Sequence, residues 1–102
     1  MQRYRMKRGR SADLARVRSQ LEASFPVPVE QMADRLHLSF GAFTSMDAWL
    51  DTGELCIETI SAGGASDADV LDTNRRFREF LEGATGYTAK QRRGLAKKEV
   101  QG

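Results

Sequence analysis

Apolar residues recur along this chain with two different periods, and the switches between them mark out its elements. Residues 2–8 alternate, with Arg3, Arg5 and Lys7 on one side and Tyr4 and Met6 on the other. A period of two predicts a half-buried strand, which Gly9 ends. Ser11 is a good helix N-cap, and Asp13 falls in the first turn, where its charge favours the helix dipole. Leu14, Val17, Leu21 and Phe25 follow at spacings of three and four, one apolar stripe of a helix. Pro26 and Pro28 stop that helix at about Ser24, because proline disfavours α geometry in the residue before it.

Residues 29–34 read either as a short helical face carrying Val29, Met32, Ala33 and Leu36 or as a loop. Leu36, Leu38 and Phe40 then alternate with His37 and Ser39, a second strand that Gly41 and Ala42 break or bend. Met46, Ala48 and Leu50 alternate with Asp47 and Trp49, a third strand. Leu55 and Ile57 alternate with Glu54, Cys56 and Glu58 in a fourth that runs to about Ile60. Asp51-Thr52-Gly53 is a tight connection with a glycine free to take positive φ, so the third and fourth strands are expected to form an antiparallel hairpin. Ser66 and Asp69 have capping-box spacing after the Gly63-Gly64 loop. Val70, Asn74, Phe77, Leu81 and Ala84, with Phe80 beside them, mark an amphipathic helix ending near Thr85-Gly86. Thr88 and Gln91 form a second capping box that opens a basic terminal helix to about Glu99.

The predicted order is therefore β-α-β-β-β-α-α. Strands that alternate in polarity bury one face, and each long helix has one apolar stripe. The simplest solution is an α+β two-layer sandwich, an about four-stranded, mainly antiparallel sheet with two long helices on one face. The other face is left to solvent or to binding. With 102 residues the chain has room for one domain spanning 1–102.

Charge changes this picture because it is sorted by position. Residues 1–24 hold seven Lys/Arg against two Asp/Glu, residues 25–71 hold one against eight, and residues 72–102 hold eight against four. The net +2 thus describes no single region. Two basic ends around an acidic middle suit polyanion binding, self-association or solubility. No apolar run approaches a membrane span of about 20 residues. The charged N-terminus has no apolar block behind it, as a secretory signal requires. Its acid-poor, arginine-rich start could mimic an organellar transit peptide, but the alternation fits a folded strand better. The single cysteine, Cys56, excludes an intramolecular disulfide, and the expectation is a cytoplasmic protein.

Candidate chemistry is sparse. Asp51-Thr52-Gly53 matches the short motif of aspartic proteases, whose mechanism needs two carboxylates sharing a proton. The motif sits between two alternating strands, and a hairpin turn explains it. Ala62-Gly63-Gly64-Ala65 before a helix start resembles a phosphate cradle in outline, but Asp67, Asp69 and Asp72 already place negative charge there. Those three aspartates lack the EF-hand spacing, and helix-dipole complementation accounts for them. His37 and Cys56 are too few soft ligands for zinc, and no basic neighbour activates Cys56. No catalytic residue, metal site, cofactor or small-molecule substrate is predicted.

What remains is the basic groups. Arg3, Arg5 and Lys7 share a strand face, Arg8 and Arg10 follow, and Lys90, Arg93 and Lys97 recur at three and four on the terminal helix. A positive stripe with an aromatic, here Trp49, is the minimal footprint of nucleic-acid binding. Asp47, Glu54 and Glu58 are expected on the same open face, where they would cancel that field in a cross-strand ion-pair lattice. Two partner classes stay open: nucleic acid through the basic ends, and protein, either a second copy paired through an edge strand across a two-fold axis or a partner anchored at Trp49.

Two stretches carry a resemblance: Tyr4-Arg5-Met6-Lys7-Arg8-Gly9, and Leu71-Asp72-Thr73-Asn74-Arg75-Arg76-Phe77 running into Phe80-Leu81-Glu82-Gly83-Ala84-Thr85-Gly86-Tyr87-Thr88-Ala89-Lys90. Together they resemble a family of small, uncharacterised archaeal proteins of about this length, described as a two-layer α/β sandwich akin to a half-repeat of the TATA-binding protein. The resemblance implies a fold that agrees with the reading above. It carries over no functional residue, and a shared fold does not transfer DNA binding.

Overall fold

Three tight turns set the sheet. In the computed structural model, which describes residues 2–7, 13–88 and 90–94, the elements are β1 (Gln2–Tyr4), α1 (Leu14–Ser24), β2 (Glu30–Met32), β3 (Arg35–Phe40), β4 (Phe43–Asp51), β5 (Glu54–Ser61) and α2 (Asp67–Thr85). Residues 90–94 are helical as well. Thr52 and Gly53 both take positive φ between Asp51 and Glu54, the two-residue turn whose twist matches that of the flanking strands. Gly41, also at positive φ, turns β3 into β4, and Ala33 does the same between β2 and β3. The result is one antiparallel sheet of five strands in the order β1-β5-β4-β3-β2, with β1 returning to pair with β5.

The apolar positions of the alternating strands all face one way. Leu36, Leu38, Met46, Ala48, Leu55 and Ile57 are buried in one cluster with Val17, Leu21 and Phe25 from α1 and its C-terminus, and Phe80, Leu81 and Ala84 from α2. Tyr4, Met6, Leu14, Phe40, Leu50 and Phe77 pack around it. Both helices therefore cover one face of the sheet. Arg16 ties them together by donating to the carbonyls of Gly83 and Ala84 at 3.2 and 2.6 Å, near the carboxyl end of α2.

The expected four strands become five. Residues 30–32 form β2, neither the helical face nor the loop that the sequence left open. All three residues are exposed, so the strand has no polarity alternation to reveal it; only its pairing with β3 makes it a strand. β1 is shorter than residues 2–8, and its far end at Arg8 lies outside the described residues. So do Arg10, Ser11 and Lys97. The N-cap of α1 is Asp13, which was expected inside the first turn: its carboxylate accepts from the Ala15 N–H at 3.0 Å. The stripe of α2 is also rotated from expectation. Val70 and Asn74 are exposed, and the buried position of that first stretch is Thr73. A polar residue does not count toward an apolar stripe, yet the Thr73 hydroxyl is satisfied there by the Ala42 N–H at 3.0 Å. The caps of α2 follow the sequence: Ser66 accepts from the Asp69 N–H, and Gly86 closes the helix in the left-handed region.

Candidate functional site

The sheet face away from the helices carries the chemistry. Cross-strand register sets it out in rows. One row runs Arg3, Cys56, Trp49, Arg35, Met32 from β1 to β2. The adjacent row runs Glu58, Asp47, His37, Glu30 from β5 to β2. Trp49 is half-buried at the centre, with the Arg35 guanidinium 4.1 Å above its ring centroid, a cation–π contact. Arg35 also reaches Asp47 at 3.8 Å. Asp47 lies 2.6 Å from His37 Nδ1. An ionised carboxylate only accepts, so Nδ1 carries the proton in this contact.

At the β1 edge Arg3 is chelated. It donates to the Asp51 carboxylate at 3.0 Å, to Glu54 at 3.1 Å and to the Thr52 hydroxyl at 3.2 Å. Asp51 first and Glu54 second push the Arg3 pKa up, holding the guanidinium charged. Cys56 lies in register between Arg3 and Trp49 and is fully buried, an inaccessible thiol on the outer face. Two large apolar side chains on this face stay in solvent: Met32, 83% exposed, and Ile60, 58% exposed. Of the cross-strand ion pairs anticipated from Asp47, Glu54 and Glu58, those of Asp47 with Arg35 and of Glu54 with Arg3 are present. Asp51-Thr52-Gly53 is the β4–β5 hairpin turn.

The other basic residues assemble elsewhere. The Lys7 N–H donates to the Thr85 carbonyl at 2.7 Å, which brings the tail of β1 to the end of α2. There the Thr88–Gln91 capping box forms reciprocally at 2.9 and 3.2 Å and starts the helical turn 90–94. Arg92 donates to the Tyr87 carbonyl at 2.6 Å and lies beside Tyr4. Burial lowers the Arg92 pKa and raises that of Tyr4. Lys7, Lys90 and Arg93 are exposed around this corner. Tyr4 projects to the helix side and Arg3 to the open side; the Lys7 backbone lies at Thr85, a few residues before the helical turn that carries Lys90 and Arg93. Arg5 is exposed just beyond β1.

Near the start of α2, Asp72 is engaged by Arg75 at 2.8 Å and Arg76 at 3.1 Å, and these bonds, Arg75 first, lower its pKa. Among the described residues no cluster of three or more His, Cys, Asp or Glu side chains could hold a metal ion, and no helix is long and apolar enough to cross a membrane. The sequence placed Trp49, Asp47 and Glu54 on the open face. It missed Arg35, Met32 and Ile60 as members of that face, and the His37–Asp47 pair, because partners across strands depend on register, which alternation alone leaves unset.

No curated protein matches the chain. Among solved structures, the fold is similar to a hypothetical protein from Thermoplasma acidophilum determined in solution by NMR, with a TM-score of 0.69 at 22% identity over 94% of this chain and 97% of the other. At that identity the likeness shows the shared fold. Residues 1–98 match the sequence profile described as "Domain of unknown function (DUF5611)", and the chain belongs to that family.

Proposed function

We propose that this protein is a non-enzymatic binding module that engages a protein partner through the open face of its sheet. The observation that carries the reading is Trp49 held under Arg35 at the centre of a sheet face that no described element covers, with Met32 and Ile60 exposed on the same side. Tryptophan and arginine are the residue types that most often anchor protein interfaces, and methionine is enriched there too. The cations of this face favour the same choice. Arg3 and Arg35 are already committed to carboxylates of their own sheet, whereas a phosphate backbone needs cations that can be shared. The expected kinship with a half-repeat of the TATA-binding protein belongs to this reading, supported by a sheet whose described helices all lie on one side. The acids on that side separate it from minor-groove binding. A cytoplasmic location is part of the proposal, supported by the lone, unpaired Cys56.

The test is a photo-crosslinking residue placed at Ile60 in cells, compared with one at Leu71 on α2, which is 71% exposed and off the face. Protein adducts from position 60 and none from 71 are expected. Equal yields from both, or none from 60 and from a second probe at Met32, would sink the reading.

One observation favours a second activity at a separate place. The Lys7 backbone is bonded to the end of α2, and exposed Lys90 and Arg93 follow within eight residues, so that corner suits weak, salt-sensitive binding of a polyanion such as nucleic acid.

A further inference from the structure

We propose that the open face takes a basic protein segment, one that sets two lysine or arginine side chains about 14 Å apart over Glu58 and Glu30. The inference rests on the binding-face reading above and adds the chemistry and spacing of the partner.

The five strands place Glu30, Asp47, Asp51, Glu54 and Glu58 on this face against Arg3 and Arg35. Three of these carboxylates are engaged within the sheet: Asp51 and Glu54 by Arg3, and Asp47 by His37 and Arg35. Among the described residues no hydrogen bond or ion pair engages Glu30 or Glu58, and both are exposed. The face therefore keeps a negative field after its own arginines are counted, and that field selects cations. A second copy or a nucleic acid brings like charge to it.

The two unengaged carboxylates have matching surroundings. Ile60 stands two residues beyond Glu58 on β5, on the same side of the sheet. Met32 stands two residues beyond Glu30 on β2 in the same way. Ile60 and Met32 are the two large apolar side chains of this face that stay in solvent. A carboxylate beside an exposed apolar group is a receptor for one lysine or arginine: the charged head meets the acid while the aliphatic stem covers the apolar neighbour. The two receptors lie on β5 and β2, three strand spacings or about 14 Å apart. An extended segment running across the strands spans that distance with cations four residues apart, since each residue advances about 3.4 Å. The face measures roughly 20 by 20 Å, and covering it buries about 800 Å² in all, below a standard interface. A short segment held weakly fits that footprint better than a folded subunit docked tightly.

The experiment is an NMR titration of the isotope-labelled full chain with synthetic nine-residue peptides of serine and threonine. The first carries arginines at its third and seventh positions, the second carries them at its third and fifth, and the third carries glutamates in place of the first peptide's arginines. With the first peptide, the amides of Glu30, Met32, Glu58 and Ile60 should shift together, with dissociation at about 0.1–1 mM. The second spans only about 7 Å, reaches one receptor at a time and should bind at least about fivefold more weakly. Glu30→Gln with Glu58→Gln should weaken the first peptide about tenfold or more, and the dispersion of the amide spectrum checks that this variant is folded. Failure of the four amides to move, equal binding of the second or third peptide, or unchanged affinity in the double variant overturns the inference. Movement of the same amides on raising the protein concentration alone gives the face to a second copy and also overturns it. None of these outcomes decides whether the face binds protein at all, which rests on the crosslinking at Ile60 and Met32.

Discussion

At the scale of single residues, the tightest constraint lies where β3 turns into β4. Gly41 sits at φ +55°, and a Cβ there would strike the Thr73 hydroxyl oxygen of α2. That oxygen is the acceptor for the Ala42 N–H, so the hairpin and the helix are fastened by one buried hydrogen bond. Two substitutions separate backbone strain from bonding. Gly41→Ala combines an unfavourable left-handed backbone with a collision and should destabilise by about 2–4 kcal/mol. Thr73→Val keeps the shape but orphans a buried donor, at a cost of about 1–3 kcal/mol. Urea midpoints at constant m-value give both numbers. Because they share an atom, the double variant should fall short of the sum. Full additivity would mean that the turn and α2 are not coupled through this oxygen.

At the scale of elements, the β4–β5 hairpin has an unusual first turn residue. Thr52, a β-branched residue, holds φ at 51°, where asparagine or glycine is at ease. Its hydroxyl joins the Arg3 chelate, an exposed arrangement that contributes little by itself. Thr52→Asn should therefore stabilise the protein by about 0.5–1 kcal/mol, read as a rise in Tm. A fall instead would show that the chelate fixes the edge strand β1. The start of α2 gives a pH signature. Arg75 and Arg76 hold the Asp72 carboxyl below its ordinary range, so its folded-state pKa lies under its unfolded one. Its contribution is present above the unfolded value and is lost as pH falls through the folded one. In paired denaturation curves, the deficit of Asp72→Asn should be largest above about pH 5 and close as pH falls below about 4. A deficit constant from pH 7 to pH 2 would assign the effect to packing. These elements also show what periodicity can and cannot reveal. The strands with a buried face, β3 to β5, and the capped helix α2 are legible because burial imposes alternation and caps have local chemistry. β2 is invisible because nothing in it is buried. Thr73 is misread because a satisfied buried hydroxyl leaves no apolar mark. The open face is legible in membership at Trp49, Asp47 and Glu54, but its rows come from register, a long-range property that no local pattern encodes.

At the scale of the whole molecule, the basic N-terminal segment is divided between two places. Arg3 is held on the open face by Asp51 and Glu54, while the backbone of Lys7 is bonded to the end of α2, after which Lys90 and Arg93 are exposed. Any attraction for a polyanion should therefore map to that corner and leave the open face uninvolved. Titration of labelled DNA or RNA of mixed sequence should show weak binding whose logarithm falls with log salt, the slope set by about 0.9 per phosphate contacted on duplex DNA. A corner with three described exposed cations predicts a slope near −3, far shallower than that of a dedicated DNA-binding groove. Lys90→Glu with Arg93→Glu should reduce affinity more than tenfold and flatten the slope, and Arg3→Gln should change neither. Loss of binding on Arg3→Gln with retention in the double reversal would move the polyanion onto the open sheet. It would then compete with a protein partner for Trp49, and the corner at the end of α2 would have no part in the binding.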